Sequence, residues 1–289
     1  MPAVSQTERS GELDALAYPP PLRFARAGLL VIAAGVLVVL LFRQAAIDPL
    51  LPSSLVLRAV ASFALLPWVA AYLVRRALRA RISIERGVLK VQVGGQAFDV
   101  ALDSIAAVEP WRVPLPEPGF VLRLESGERF PLGLAAREPT PLLEALADAG
   151  VASAREATSK LVFVWARAKA WAGPWTWRHL AVKYPLFALV PGGLLLHAHQ
   201  SVAWGGLMGQ WHLESPVAWA WTAFAYWLTA TVHLVLYASA WRAVVELASL
   251  VGAAGGDAAA RRTRRLAELI ARLAYYAGVP LLLAQYVTL

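Results

Sequence analysis

Between Arg81 and Gly150 apolar and polar residues alternate with a period of two. Ile82 and Ile84 flank Ser83. Leu89, Val91 and Val93 alternate with Lys90 and Gln92, and Phe98, Val100 and Leu102 with Asp99 and Ala101. Phe120, Leu122 and Leu124, then Phe130, Leu132 and Leu134, repeat the pattern. Successive side chains of an extended chain point to opposite faces, so this spacing predicts strands with one face in a core. Arg86-Gly87, Gly94-Gly95 and Ser126-Gly127 interrupt the runs, each with a residue able to adopt positive φ, and predict tight hairpins. From Pro139 to Ala149 the period changes: Leu142, Leu143 and Leu146 share one face of a predicted helix, and Gly150 is placed to end it.

On both sides of this island the pattern loses its polar half. Ala27–Phe42 and Ala59–Val74 are uninterrupted apolar runs bounded by arginines. Each is about 24 Å long as a helix, and its flanking arginines can reach outward to complete a membrane crossing. Pro67 predicts a kink in the second run, because proline removes a backbone donor. A third span is predicted from Tyr184 to about Trp204, interrupted by Pro185, Pro191, Gly192 and Gly193. A fourth runs from Val217 to Ala240, and a fifth from Leu273 to Leu289 with Pro280 inside it. Freed backbone groups inside a bilayer need protein or enclosed water as partners. Pro191, Gly192 and Gly193 are therefore expected to face another helix of this chain or of a partner subunit.

Charge sets the expected orientation. Arg75, Arg76, Arg79 and Arg81 follow the second run directly, and Arg261, Arg262, Arg264 and Arg265 precede the fifth. Basic residues beside spans remain cytoplasmic, so both groups are expected at the cytoplasmic membrane surface, within reach of anionic lipid. This places the β island and the N-terminus in the cytoplasm and the C-terminus in the periplasm. The segment 151–183 interleaves Trp165, Trp171, Trp175 and Trp177 with Arg155, Lys160, Arg167, Lys169 and Arg178, the composition of an amphipathic interfacial linker.

Composition agrees with a membrane protein. The chain of 289 residues is 58% hydrophobic, its net charge is +8, and it has no cysteine; its mean hydropathy is +0.54. Disulfides and thiolate ligands are thereby excluded. The positive charge clusters beside apolar runs, so no nucleic-acid partner is expected.

The island's strand rhythm, its "RGVL" hairpin, the "LDSIAAVE" segment and the terminal helix resemble the bacterial pleckstrin-homology-like domain, a module often preceded by two membrane helices. The resemblance covers about residues 75–150. It implies a non-catalytic binding or assembly role. Residues 1–21 then read as a flexible cytoplasmic tail without a signal peptide, 22–80 as a membrane hairpin, and 81–150 as a small all-β, pleckstrin-like cytoplasmic domain ending in a helix. Residues 151–183 form the interfacial linker and 184–289 a three-helix membrane domain. The expected whole is a polytopic α-helical protein of the bacterial inner membrane with about five spans.

Histidine supplies the candidate chemistry. His197 and His233 fall inside spans, where ionisable groups are expensive. Their depths, about 20 Å and 10 Å from the cytoplasmic end, do not match as a haem pair would require. His197, His199, His212 and Glu214 are the candidate metal ligands near the outer surface, of types suited to zinc or copper. On a regular helix His197 and His199 point about 200° apart, so a shared metal requires the helix to unwind after Gly193. No nucleotide-binding loop, nucleophile elbow or HExxH motif is present. No cofactor is expected. The expected function is an accessory or scaffold subunit assembling with other membrane subunits or with itself among membrane lipids. A transporter component and a metal-dependent membrane enzyme are the alternatives.

Overall fold

The alternation between Arg79 and Ala135 folds into an antiparallel half-barrel in the computed structural model, which describes residues 12–43, 53–173 and 176–280. The described residues divide into two compact units: one is built from residues 12–31, 67–172 and 249–263, the other from 32–43, 53–66, 173, 176–248 and 264–280.

The first unit contains a sheet of seven strands: β1 (Leu13–Tyr18), β2 (Arg79–Glu85), β3 (Val88–Val93), β4 (Gln96–Ala101), β5 (Ile105–Pro110), β6 (Gly119–Leu124) and β7 (Gly133–Ala135). Their spatial order is β4-β3-β2-β1-β7-β6-β5. Strand β1 is therefore central, with Ala15 opposite Ala80 of β2 and Ala17 opposite Leu134 of β7. Expecting residues 1–21 to be a tail is wrong for Leu13–Tyr18, whose apolar positions Ala15–Tyr18 are all buried. Residues 1–11 lie outside the described set.

The hairpins form where glycine permits them. Arg86 and Gly87 both have positive φ, as do Gly94 and Gly95, the geometry two-residue turns need to match strand twist. Helix Thr140–Asp148 (which follows two membrane-length helices, below) ends as predicted. Gly150 has φ 105°, its N–H donates to the Ala147 carbonyl, and Val151 N–H donates to Leu146 at 3.0 Å.

The core holds Ile82, Leu89, Val91, Phe120, Leu122 and Leu134 with Leu142, Leu143 and Leu146, and continues past Gly150 through Val151, Ala154 and Ala157 to Phe163. The centre of the predicted linker is thus packed into protein. In Leu161–Trp171, residues Val162–Ala166 are buried, and Trp165 packs with Ala168, Ala253 and Ala260. Arg167 clasps Asp257 through Nε at 2.8 Å and Nη2 at 2.9 Å, a two-point pair that ties the 249–263 segment to this unit. The Arg167 guanidinium holds the Asp257 carboxyl below its usual range.

Four helices among the described residues are long and apolar enough to cross a membrane. In chain order, with the shorter helices included, they are α1 (Pro20–Phe42), α2 (Ser54–Ala77), α3 (Thr140–Asp148), α4 (Ala152–Ala157), α5 (Leu161–Trp171), α6 (Trp177–Trp204), α7 (Gly209–Leu213), α8 (Pro216–Ala253) and α9 (Gly256–Tyr276). The membrane-length ones are α1, α2, α6 and α8. In α2 a π turn at Ala61–Leu65 lies just before Pro67, at the predicted kink. The 38 residues of α8 extend about 57 Å, nearly twice a hydrocarbon core of about 30 Å. Most of the predicted fifth span, 281–289, lies outside the described residues.

In the second unit α6 is unbroken through Pro191 to Trp204, so the expected interruption does not occur there. The distortion comes earlier, as a π turn at Val182–Leu186 containing Pro185. Its polar groups find partners: Trp227 Nε1 donates to the Pro185 carbonyl at 2.8 Å, and Tyr275 OH donates to the Lys183 carbonyl at 2.7 Å. Pro191 has no N–H to give the Phe187 carbonyl, and Val190 N–H donates to it at 3.2 Å instead.

Candidate functional site

Where the sheet meets the first two membrane-length helices, the first unit buries a charged cluster. Arg26, two turns into α1, is only 5% exposed. Its Nη1 donates both to the Tyr18 hydroxyl on β1 and to Glu117 Oε2 in the β5–β6 connection. Its Nε donates to the Ala71 carbonyl of α2 at 3.0 Å. Tyr18 OH donates to the same carboxylate oxygen at 2.9 Å, and Arg75 Nε approaches Glu117 Oε1 at 3.5 Å. Burial, with the Glu117 charge beside it, pushes the Tyr18 hydroxyl far above its ordinary pKa and keeps it a donor. Four elements thus share one carboxylate and one guanidinium.

Aromatic packing reinforces the junction. The Arg23 guanidinium lies 3.8 Å from the centre of the Trp111 ring, and Tyr18 meets that ring edge-on. Gly133 and Gly119 admit the indole: a Cβ on Gly133 would come within 2.7 Å of it, and one on Gly119 within 2.5 Å of the Leu134 carbonyl.

Beside this junction is a cleft of about 930 Å³, formed by β1, β2, the Gly94-Gly95 turn and the end of α2. Arg75, Arg79, Arg81 and Arg137 line it with Asp14. Three of the predicted surface arginines, Arg75, Arg79 and Arg81, therefore share one concave face, and Arg76 is exposed on α2.

The second arginine group is divided. Arg261, Arg262 and Arg265 are exposed, but Arg264 is 1% exposed and pairs with Glu246 at 3.2 Å and Glu268 at 3.0 Å. Placing Arg264 at a membrane surface is thus corrected. It falls on the inner face of α9, where Glu246 of α8 and its own-helix neighbour Glu268 compensate its charge.

The candidate metal ligands are not gathered. Among the described residues no three histidine, aspartate or glutamate side chains form a metal-ligating group. Because α6 does not unwind after Gly193, His197 and His199 keep different faces, and the His199 ring lies 5.4 Å from that of Tyr226. His212 is exposed on α7. Glu214 accepts a hydrogen bond from Gln210 Nε2 at 2.8 Å, and Gln210 bonds buried Gln200, a polar chain that pins α7 to α6. His233 Nδ1 lies 2.7 Å from the Thr229 carbonyl of its own helix, a contact that requires the proton on Nδ1.

The helix-packing residues divide sharply. Pro191 and Gly192 are buried, and a Cβ on Gly192 would lie 3.1 Å from the Trp227 Cα of α8, whereas one on Gly193 meets nothing within 4 Å. Main chain cannot yield as a side chain can. Gly192→Leu is expected to lower the thermal midpoint in detergent through a loss of about 1–3 kcal/mol, and Gly193→Leu to leave it unchanged. Equal melting of both variants would contradict this close approach.

The chain matches no protein-family model, no curated protein and no solved structure.

Proposed function

We propose that this protein is a non-catalytic accessory or scaffold subunit of the bacterial inner membrane, with a pleckstrin-like cytoplasmic domain as its binding module. The observation that carries the proposal is the composition of the sheet. Its central strand β1 precedes α1 and its neighbour β2 follows α2, so the two helices cross as a pair and return the chain to one side. Within the first unit the Arg26–Glu117–Tyr18 cluster ties the sheet to the adjoining turns of α1 and α2. Such rigidity suits a platform that sets the position of partners. The Arg167–Asp257 clasp extends the argument to the segment after α8, which shares that side. The arginines after α2 favour the cytoplasmic side for the domain. A fifth span after α9 would end in the periplasm.

The seven-stranded half-barrel with α3 packed into its core supports the pleckstrin-like reading. The cleft of Arg75, Arg79, Arg81 and Arg137 is suited to acidic partner segments. Gly193, open on this chain, offers a small-residue surface for a partner helix or a second copy. The test is purification from native membranes in mild detergent, with wild type beside Gly193→Leu and Arg79→Glu/Arg81→Glu. Stoichiometric subunits, or a homo-oligomer, weakened by these changes while melting is unchanged, are expected. A monomer catalysing solute flux in liposomes would overturn the reading in favour of transport.

A further inference from the structure

The second unit holds a second basic cleft, of about 460 Å³, where α6, α8 and α9 meet. Lys183, Arg242 and Arg272 line it together with Glu268, Trp241 and Tyr275. We propose that this cleft binds a phosphate anion, carried on a lipid headgroup or free in solution. The inference is independent of the scaffold reading.

Position is the first argument. Trp241 and Arg242 stand where the apolar run of α8 gives way to charge, and Lys183 is near the start of α6. Tryptophan and tyrosine beside lysine and arginine are the side chains that meet headgroups at an apolar–polar boundary. The volume lies within the range of small-ligand sites, about 300–1,000 Å³.

Rigidity is the second. Tyr275, 2% exposed, donates to the Lys183 carbonyl at 2.7 Å and places its ring centre 4.9 Å from Lys183 Nζ. The π turn at Val182–Leu186 therefore holds the ammonium over an aromatic face at the cleft wall. Arg242 is held by Glu246 at 2.5 Å, and Glu246 also binds the buried Arg264.

Charge is the third. Three cations, Lys183, Arg242 and Arg272, and one carboxylate, Glu268, line this partly enclosed space. A phosphate group carries one to two negative charges and accepts from several donors at once, which suits a lining richer in cations than in carboxylates.

The test uses full-length protein reconstituted in phosphatidylcholine discs, with or without phosphatidylglycerol, and separately with inorganic phosphate. Native mass spectrometry and thermal shift read retention. Wild type is expected to retain about one anionic lipid or phosphate, and Arg272→Gln and Lys183→Met to retain it roughly five- to tenfold more weakly. Arg261→Gln/Arg262→Gln, which removes exposed charge outside the cleft, is expected to match wild type. Retention of phosphatidylglycerol without response to inorganic phosphate identifies a headgroup, and the reverse a soluble phosphate. The Arg272 side chain is 74% exposed, so its variant tests the site without depending on the fold. Unchanged retention by Arg272→Gln and Lys183→Met, equal loss in the Arg261/Arg262 control, or no response to either ligand would overturn the proposal.

Discussion

Glu117→Gln is expected to destabilise the protein by about 3–5 kcal/mol, far more than a substitution in a surface loop. The amide keeps the shape of the carboxylate but removes its charge. Arg26 is 5% exposed and shares that carboxylate with Tyr18 and Arg75, so the change strands a guanidinium in a site sealed by β1, α1 and α2. Ala71 and Tyr18 still accept from Arg26, but neither carries compensating charge. The loss should appear as a lower melting temperature and faster hydrogen exchange along β1. Removing both charges behaves differently, because apolar replacement of a buried pair is often near neutral. Arg26→Met/Glu117→Met should therefore melt closer to wild type than Glu117→Gln alone. A single variant that melts like wild type would show that the cluster holds nothing together.

The second large effect belongs to the core. Leu122 in β6 is fully buried in the cluster that holds Phe120, Leu143 and Leu146. Leu122→Asp would place a carboxyl group there without a partner. Ionised or neutral, it loses its hydration for nothing, at a cost expected to exceed about 4 kcal/mol. No protected amides should remain in β5, β6 and α3. Persistent protection there would contradict the assignment of this face to the core.

The local features of the first unit were legible in the sequence because they rest on local rules. The period of two marks Leu89, Val91 and Leu122 as inward, and Gly87, Gly95 and Gly150 take the positive φ that their positions demand. Strand β1 was not legible. Leu13–Tyr18 is short, adjoins polar and proline-rich sequence, and finds its partners near residues 80 and 134. Its pairing is non-local, and nothing in its own pattern marks it. The same limit applies to charge. Arg264 belongs to a basic run by sequence, yet helix geometry turns it inward toward Glu246, and Arg26 meets a carboxylate 91 residues away. Trp165 matched the composition of an interfacial helix, but the apolar positions of α5 surround it with Ala166, Ala168 and Ala260. Gly192 and Gly193 are alike in sequence, and only the position of α8 distinguishes them.

The central claim is that the chain before α1 and the chain after α2 form one sheet. It can be tested by disulfide formation in native membranes, because the protein has no cysteine of its own. Asp14 and Arg81 are exposed, directly opposed residues of β1 and β2, and Gln92 lies opposite Arg81 on the next strand. Opposed residues on neighbouring strands have Cα atoms about 4.5–5.5 Å apart, within disulfide reach, whereas two strands over the separation is about 10 Å. Under mild oxidation Asp14→Cys/Arg81→Cys should cross-link within the chain, and Asp14→Cys/Gln92→Cys should not. Failure of the first pair to cross-link, or equal cross-linking of both, would contradict the account.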